Sequence, residues 1–147
     1  MATKGLCAKC EGLCCKEFLL YLVKSDLEKL GNLSKKLKIR KLGPIFIEDH
    51  TEGFCPFLNP ASGCILKEEM KPFECKLFPL SFQYKNSKIK FYIYNNCTYH
   101  KKVPAAWVKK TMRWAAKELD RWTEEEKRFY SNRIEKLHFD ELKPIQH

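Results

Sequence analysis

Cysteine is the residue whose type and spacing stand out for chemistry in this chain. The stretch CAKCEGLCC, residues 7 to 15, places four cysteines in nine positions, and four more follow singly. A cysteine thiolate acts as a nucleophile, as half of a disulfide or as a ligand for a soft metal. The complete set, which contains no member in the last fifty residues, is Cys7, Cys10, Cys14, Cys15, Cys55, Cys64, Cys75 and Cys97.

The spacing differs from that of a common structural zinc site. Such sites usually combine two C-x2-C turns, each of which offers two sulfurs to one tetrahedral ion. Only Cys7 and Cys10 have this spacing, and the downstream cysteines stand alone. Adjacent side chains in an extended chain leave on opposite faces, so Cys14 and Cys15 are poorly suited to one mononuclear ion. The pattern therefore favours an iron-sulfur cluster, which is larger than one ion and is held by thiolates, over zinc.

Two other roles stay open for part of this set. Cysteine packs in protein cores as a small hydrophobe, which is an alternative for Cys15 and Cys64. A redox disulfide between Cys7 and Cys10, or between Cys14 and Cys15, is a further alternative. Such a pair would leave most of the other cysteines without a role, so metal binding is the preferred interpretation.

Composition bounds the class of protein. The chain has 147 residues, of which 44% are hydrophobic and 31% charged, as expected for one globular domain. Its longest apolar run, residues 18 to 23, is far shorter than the ~20 residues of a membrane-spanning helix. No apolar segment of signal-peptide length precedes the cysteines. We therefore expect a cytoplasmic protein without membrane association, in a reducing compartment that favours metal binding over disulfides.

The formal charge of +10 suggests an anionic partner, but metal-bound thiolates would offset part of it. The lysines are scattered and aromatic residues do not alternate with them, so nucleic acid is only a weak expectation. A protein or redox partner is the preferred expectation. The densely basic stretch SKKLKIRK, residues 34 to 41, is predicted to be a solvated helix or loop face.

Short strands and helices must position the cysteines. Residues 17 to 23 and 44 to 47 have the apolar character of buried strands, and Ser25 begins a capping box that predicts a helix ending near Gly31. A turn at residues 59 to 63 precedes Cys64, and Pro72 predicts the first turn of a brief helix.

The second half of the chain predicts a hairpin and two helices. Residues 81 to 94 contain two alternating stretches around Asn86-Ser87, and the second of them has one apolar and one wet face; the wet face is Lys88, Lys90, Tyr92 and Tyr94. From Pro104 the pattern becomes helical, with an inward stripe that is Trp107, Val108, Met112 and Ala115 or Ala116. A capping box at Thr123 begins the last helix. The tryptophans are expected to anchor packing rather than to stack on bases.

In the order of these motifs the chain resembles the CxxCxxCC cysteine-cluster family, also called YkgJ-like and described as zinc- or iron-chelating. The first family cluster matches residues 7 to 15, with one residue more than the family name states, and Cys97 matches the last family cysteine. The CPFL and GC elements of the family stand at residues 55 to 58 and 63 to 64. Its most specific element stands here as Glu69, Lys71, Pro72, Cys75, Phe78 and Pro79.

The resemblance implies metal chelation. Flagellin lysine N-methylase belongs to the same family, which implies a component of a protein-lysine N-methylation activity as an alternative. The chain has no glycine-rich nucleotide loop of the usual form. The family usually has arginine where this chain has Lys71 and Lys76, so a bidentate guanidinium contact is lost at both positions.

Together these observations predict one α+β domain over residues 1–147. A cysteine-rich metal-binding part, residues 1–100, contains short strands and a β-hairpin and is covered by a helical part, residues 104–140. The predicted function is metal binding through most of the eight cysteines, all of which are candidate ligands, with an iron-sulfur cluster in redox or electron transfer preferred. The strongest candidates are Cys7, Cys10, Cys14, Cys75 and Cys97, followed by Cys15, Cys55 and Cys64. The alternative cofactor is zinc, in which case the protein is a structural or interaction module. Whether the protein is an enzyme stays open.

Overall fold

The structure is a computed structural model that describes residues 20–48, 55–59, 61, 63–94, 103–138 and 142–145. The chain divides into two compact units, residues 1–76 and 77–147. The described parts of both contain strands and helices, so the predicted α+β class is confirmed. The division groups the β-hairpin with the C-terminal helices, whereas the sequence changes in composition near residue 104. That the chain is a single domain stays a prediction.

A three-stranded antiparallel sheet lies in the first unit, with β3 between the two other strands. Its β1 and β3 coincide with the two buried strands predicted from the sequence. Gly43, at a φ of 59°, supplies the left-handed conformation for the tight turn between β2 and β3. The strands are β1 (Leu20–Leu22), β2 (Ile39–Leu42) and β3 (Ile45–Glu48).

The basic stretch forms part of this sheet. Its first residues belong to a 3-10 helix, Gly31–Lys36, and its last residues form the edge strand β2. Arg40 and Lys41 are exposed, as the expected solvated face requires, whereas Ile39 is half-buried against the apolar cluster of the unit. A strand was not predicted here because two adjacent cations hide the alternation of a half-buried edge strand.

Helix α1 (Lys24–Leu30) ends at Gly31 as predicted, but its N-terminus differs from the prediction. The N-cap is Val23 rather than Ser25, because the Asp26 carboxylate reaches back and accepts the Val23 N–H at 2.9 Å. The predicted role of Ser25 as the cap is therefore wrong.

The rest of the first unit is a small ribbon followed by a short helix. β4 (Leu58–Asn59) and β5 (Gly63–Cys64) pair around the predicted turn, and helix α2 (Phe73–Leu77) follows Pro72 as predicted. The apolar cluster of the first unit consists of Leu20, Leu22, Leu30, Leu37, Phe57 and Leu66.

The predicted hairpin forms β6 (Leu80–Lys85) and β7 (Lys88–Tyr94) of the second unit. Asn86 and Ser87 have φ values of 54° and 59°, which a two-residue hairpin turn of the primed type requires. A third antiparallel strand, β8 (Leu142–Pro144), pairs with β7 and was not predicted.

The wet face predicted for β7 is exposed at Lys88 and Lys90, but it is wrong at Tyr94. Tyr94 is 1% exposed. Its ring stacks on Phe78 with centroids 5.4 Å apart, because the last residue of the strand lies beside the start of the hairpin.

Two helices of fifteen residues complete the second unit, α3 (Ala105–Leu119) and α4 (Glu124–His138). The inward stripe of α3 includes Thr111 in addition to Trp107 and Ala115, while Val108 and Met112 are half-buried. The capping box that begins α4 forms as predicted. Thr123 N–H donates to Glu126 Oε1 at 2.8 Å, and Glu126 N–H donates to Thr123 Oγ1 at 3.0 Å.

Stacked aromatic rings form the core between the hairpin and α4. Phe82 stacks on Tyr130 with centroids 4.8 Å apart, and Trp122 meets both rings edge-on at 5.7 Å. Trp107 and Trp122 are buried, in keeping with their predicted packing role, and Trp114 is half-buried. Among the described residues no helix combines the length and the apolar character needed to cross a bilayer.

Candidate metal centre

The eight predicted ligands divide into those that the structure describes and those that it does not. Cys55 and Cys64 are half-buried, and Cys75 is exposed on α2. The remaining five lie outside the described residues: Cys7, Cys10, Cys14, Cys15 and Cys97.

The β4–β5 ribbon and the turn before it place Cys55 and Cys64 against the same apolar cluster. Leu58 N–H donates to the Cys55 carbonyl at 3.0 Å, which closes a turn, and Leu58 is the register partner of Cys64. Ile65 N–H donates to the Phe57 carbonyl at 2.8 Å and extends the pairing. Both cysteines pack against the apolar cluster of the first unit. Packing of this kind suits a core cysteine as well as a ligand, so the two interpretations of Cys64 stay open.

Two buried carboxylates hold the helix that carries Cys75. Asp26 Oδ1 accepts the N–H of Phe73, the first residue of α2, at 2.9 Å, and Glu74 Oε1 accepts the Tyr21 N–H at 3.3 Å. Asp26 is 1% exposed and Glu74 is 4% exposed. Helices leave their first N–H groups without partners inside the helix, and an edge strand leaves a row of backbone groups unpaired. The two carboxylates satisfy one group of each kind and so fix α2 beside β1 and α1.

A buried lysine precedes this helix. Lys71 is 6% exposed, and its Nζ lies 2.9 Å from Glu68 Oε1. Its ammonium group makes this contact as a point charge, whereas the arginine of the resembled family would offer a planar pair of donors. The ion pair therefore joins the first residue of the 3-10 turn Glu68–Met70 to Lys71, the residue that directly follows this turn.

Within the part of the chain that the structure describes, no three His, Cys, Asp or Glu side chains group in a way that could hold a metal ion. The three described cysteines therefore do not form a site by themselves. Metal binding and its ligand set stay a prediction that depends on the five other cysteines.

Sequence reasoning missed Asp26 and Glu74 as positioning residues. The signal for Asp26 was present in the capping box, but it was assigned to Ser25. Glu74 stands next to Cys75 in the most specific motif, and no periodicity or spacing distinguishes a carboxylate that accepts a distant backbone N–H from a solvated one.

Comparison with known proteins gives no match. No family model, curated protein or solved structure matches the chain. The resemblance to the cysteine-cluster family therefore rests on the motifs in the sequence alone.

Proposed function

We propose that the protein binds metal through its cysteines and holds an iron-sulfur cluster that takes part in redox or electron transfer. The observation that carries the proposal is that seven of the eight cysteines fall in the first unit, where Cys55 and Cys64 pack against the same apolar cluster. Random placement of reactive thiols would not favour one unit in this way.

The donor set fits such a group chemically. Thiolates are the usual ligands of iron-sulfur clusters, and they also bind zinc. Cys55 and Cys64 lie half-buried against leucine and phenylalanine side chains. An apolar shell of this kind limits access of water to a metal centre and tunes its reduction potential.

The anchoring of α2 supports a place for Cys75 near the N-terminal cysteines in the chain. Glu74, its neighbour, accepts a hydrogen bond from the Tyr21 N–H, and Cys15 precedes Tyr21 by six residues. An extended chain covers at most about 3.6 Å per residue, so six residues reach no further than about 22 Å. Side chains that hold ligands in a fixed position are expected around a working metal site.

The first test is the metal content of the full chain purified without oxygen. We expect iron and acid-labile sulfide in stoichiometric amounts, a brown colour, and bleaching when a reductant is added. Zinc in place of iron would overturn the cluster in favour of a zinc-binding module, which a chelator would unfold. Finding neither metal would overturn the proposal.

Single substitutions test the ligands. Cys55→Ser and Cys64→Ser are each expected to lower the iron content substantially. Ile65→Ser is the matched control, because Ile65 is 60% exposed and follows Cys64 directly. Far-UV circular dichroism of each variant separates loss of metal from loss of fold. Full iron content in both cysteine variants would exclude these two residues as ligands.

A further inference from the structure

The two units differ in their share of the positive formal charge. Residues 77–147 contain 15 Lys and Arg against 8 Asp and Glu, so this unit holds +7 of the formal charge of +10. Cys97 is the one cysteine of the unit. Thiolates bound to metal would therefore lower the charge of the first unit and leave most of the basic excess in place. The excess requires another explanation.

Four exposed cations lie along one face of α3. Lys109, Arg113 and Lys117 are spaced four residues apart, and Lys110 lies three residues before Arg113. Residues three and four apart are neighbours on a helix surface. Lys117 follows Lys109 by eight positions, which corresponds to a rise of about 12 Å along the helix axis. These four residues are called the basic stripe below.

Helix α4 provides an internal comparison of the same length. Each helix has fifteen residues and four Lys or Arg, but α3 contains one glutamate and α4 contains four. On α4, Arg128 Nη2 lies 3.0 Å from Glu124 Oε2. On α3, Glu118 pairs with Arg121, which lies beyond the helix, at 3.5 Å. Among the described residues no ion pair or hydrogen bond involves a side chain of the basic stripe.

The arrangement of the basic stripe works against the stability of its own helix. Like charges at a spacing of four residues repel each other and destabilise a helix, and the stripe contains two such pairs, Lys109 with Arg113 and Arg113 with Lys117. Since α4 carries the same number of cations together with four glutamates, the unit does not require a helix with an unbalanced row of cations. An anion bound along the stripe would offset this repulsion, because each cation would be attracted to the negative charge.

The surroundings of the basic stripe indicate the chemistry of that anion. Ala106 and Ala116, which lie on the same face, are exposed and small. Among the described residues the one exposed large hydrophobic side chain is Ile65, which is not on α3. Binding in a membrane interface requires an apolar face that enters the lipid, and the apolar face of α3 is buried in its unit. A nucleic-acid strand carries one phosphate for every ~3.4 Å of its helix axis, so its backbone presents several phosphates to a straight cationic row of about 12 Å.

We propose that the basic stripe of α3 binds the sugar-phosphate backbone of nucleic acid. Lysine and arginine contacts to phosphate position a protein on nucleic acid and carry no sequence information, so the binding is independent of base sequence. The inference rests on the second unit and is independent of whether the first unit binds metal.

The test measures binding of the full chain to a fluorescein-labelled 20-base-pair duplex by fluorescence anisotropy at several salt concentrations. Four phosphate contacts predict that the affinity falls on the order of 100-fold between 50 and 200 mM salt. In the variant K109Q/R113Q/K117Q the slope of log affinity against log salt is expected to fall by about one unit for each substituted cation.

The control variant K85Q/R121Q/R128Q removes the same charge from cations that already have acidic partners, namely Glu135, Glu118 and Glu124. It is expected to keep the parental salt slope. Thermal unfolding guards against a folding artefact, because K109Q/R113Q/K117Q removes the repulsive pairs and should melt at or above the parental temperature.

Several outcomes would overturn the proposal. They are no binding to the duplex at 50 mM salt, an equal loss of slope in both triple variants, and binding that depends on the stripe only with phosphatidylserine vesicles or with polyglutamate. The vesicle result would assign the stripe to a membrane surface, and the polyglutamate result would assign it to an acidic protein.

Discussion

The two units stabilise their elements by different physical means. In the first, buried carboxylates accept backbone N–H groups from other elements, as Asp26 does for Phe73 and Glu74 does for Tyr21. In the second, aromatic rings stack across the interface between sheet and helix, and the ion pairs lie at the surface. The stability of the first unit should therefore depend strongly on single polar side-chain atoms. The stability of the second should depend strongly on the side-chain volume that fills its core.

This difference explains why the units differ in what can be predicted from a sequence. Stacked rings follow from hydrophobic periodicity, because each element brings its own apolar face. A carboxylate that accepts an N–H 47 residues away depends on two elements that meet only in the fold.

The largest expected effect is in the aromatic core. Phe82 is fully buried between Tyr130 and Trp122, so Phe82→Ala should lower the free energy of unfolding of the second unit by about 3–5 kcal/mol. All three tryptophans of the chain lie in residues 77–147, so tryptophan fluorescence during urea unfolding follows this unit. The control Lys88→Ala, at an exposed position on the neighbouring strand of the same unit, should change it by less than about 0.5 kcal/mol. Equal effects of the two substitutions would contradict the packing argument.

A comparable effect is expected at the buried carboxylate of the first unit. Asp26→Ala leaves the N–H groups of Val23 and Phe73 without their acceptor, and each unsatisfied buried group costs about 1–3 kcal/mol. Far-UV circular dichroism and amide exchange at these two residues measure the loss.

Asp26→Asn separates the two hydrogen bonds of this carboxylate. The amide keeps one oxygen acceptor, so this variant should lose about half as much stability as Asp26→Ala. If both variants unfold at the parental urea concentration, the two units do not differ in the way described.

The smallest effect is a pH dependence in the second unit. The Tyr84 hydroxyl donates a hydrogen bond to Glu124 Oε1, which lowers the pKa of the Glu124 carboxyl below 4.5 and raises the pKa of the Tyr84 phenol above 10.0. The carboxylate therefore contributes stability above its unfolded pKa, and this is lost as the pH falls through the lowered value. The phenol contributes stability below its unfolded pKa, and this is lost as the pH rises through the raised value.

Tyr84→Phe should remove the pH effect of the phenol and reduce that of the carboxylate, because Arg128 and Lys127 also lower the pKa of Glu124. Unfolding midpoints measured from pH 3 to 6 and from pH 9 to 11 should then vary less than in the parent protein. Glu125→Gln is the matched control, since this neighbouring carboxylate is exposed and makes no hydrogen bond among the described residues. An unchanged profile for Tyr84→Phe would show that the bond does not contribute.

Much of the local structure was predictable because the relevant residues act over short distances. Asn86 and Ser87 define the hairpin, the Thr123 and Glu126 pair defines the start of α4, and Pro72 precedes α2. Each of these residues lies within four positions of the helix or strand that it predicts.

The elements that were not predicted depend on distant partners. β2 contains Arg40 and Lys41 and becomes a strand because β3 pairs with it. β8 has no alternation of its own and follows from the open edge of β7. The grouping of the candidate metal ligands is unpredictable for the same reason. The eight cysteines come from separate segments, and the sequence around each one does not indicate which of them share a metal centre.

The contact between Glu74 and β1 also bears on how the protein avoids misassembly. β1 is a fully buried apolar strand, Leu-Tyr-Leu, at the edge of its sheet, and an uncovered strand of this kind recruits strands from other molecules. Because the Glu74 carboxylate occupies the Tyr21 N–H, helix α2 blocks this edge against a foreign strand. Displacement of α2 would therefore free the Tyr21 N–H for pairing with a strand of another molecule.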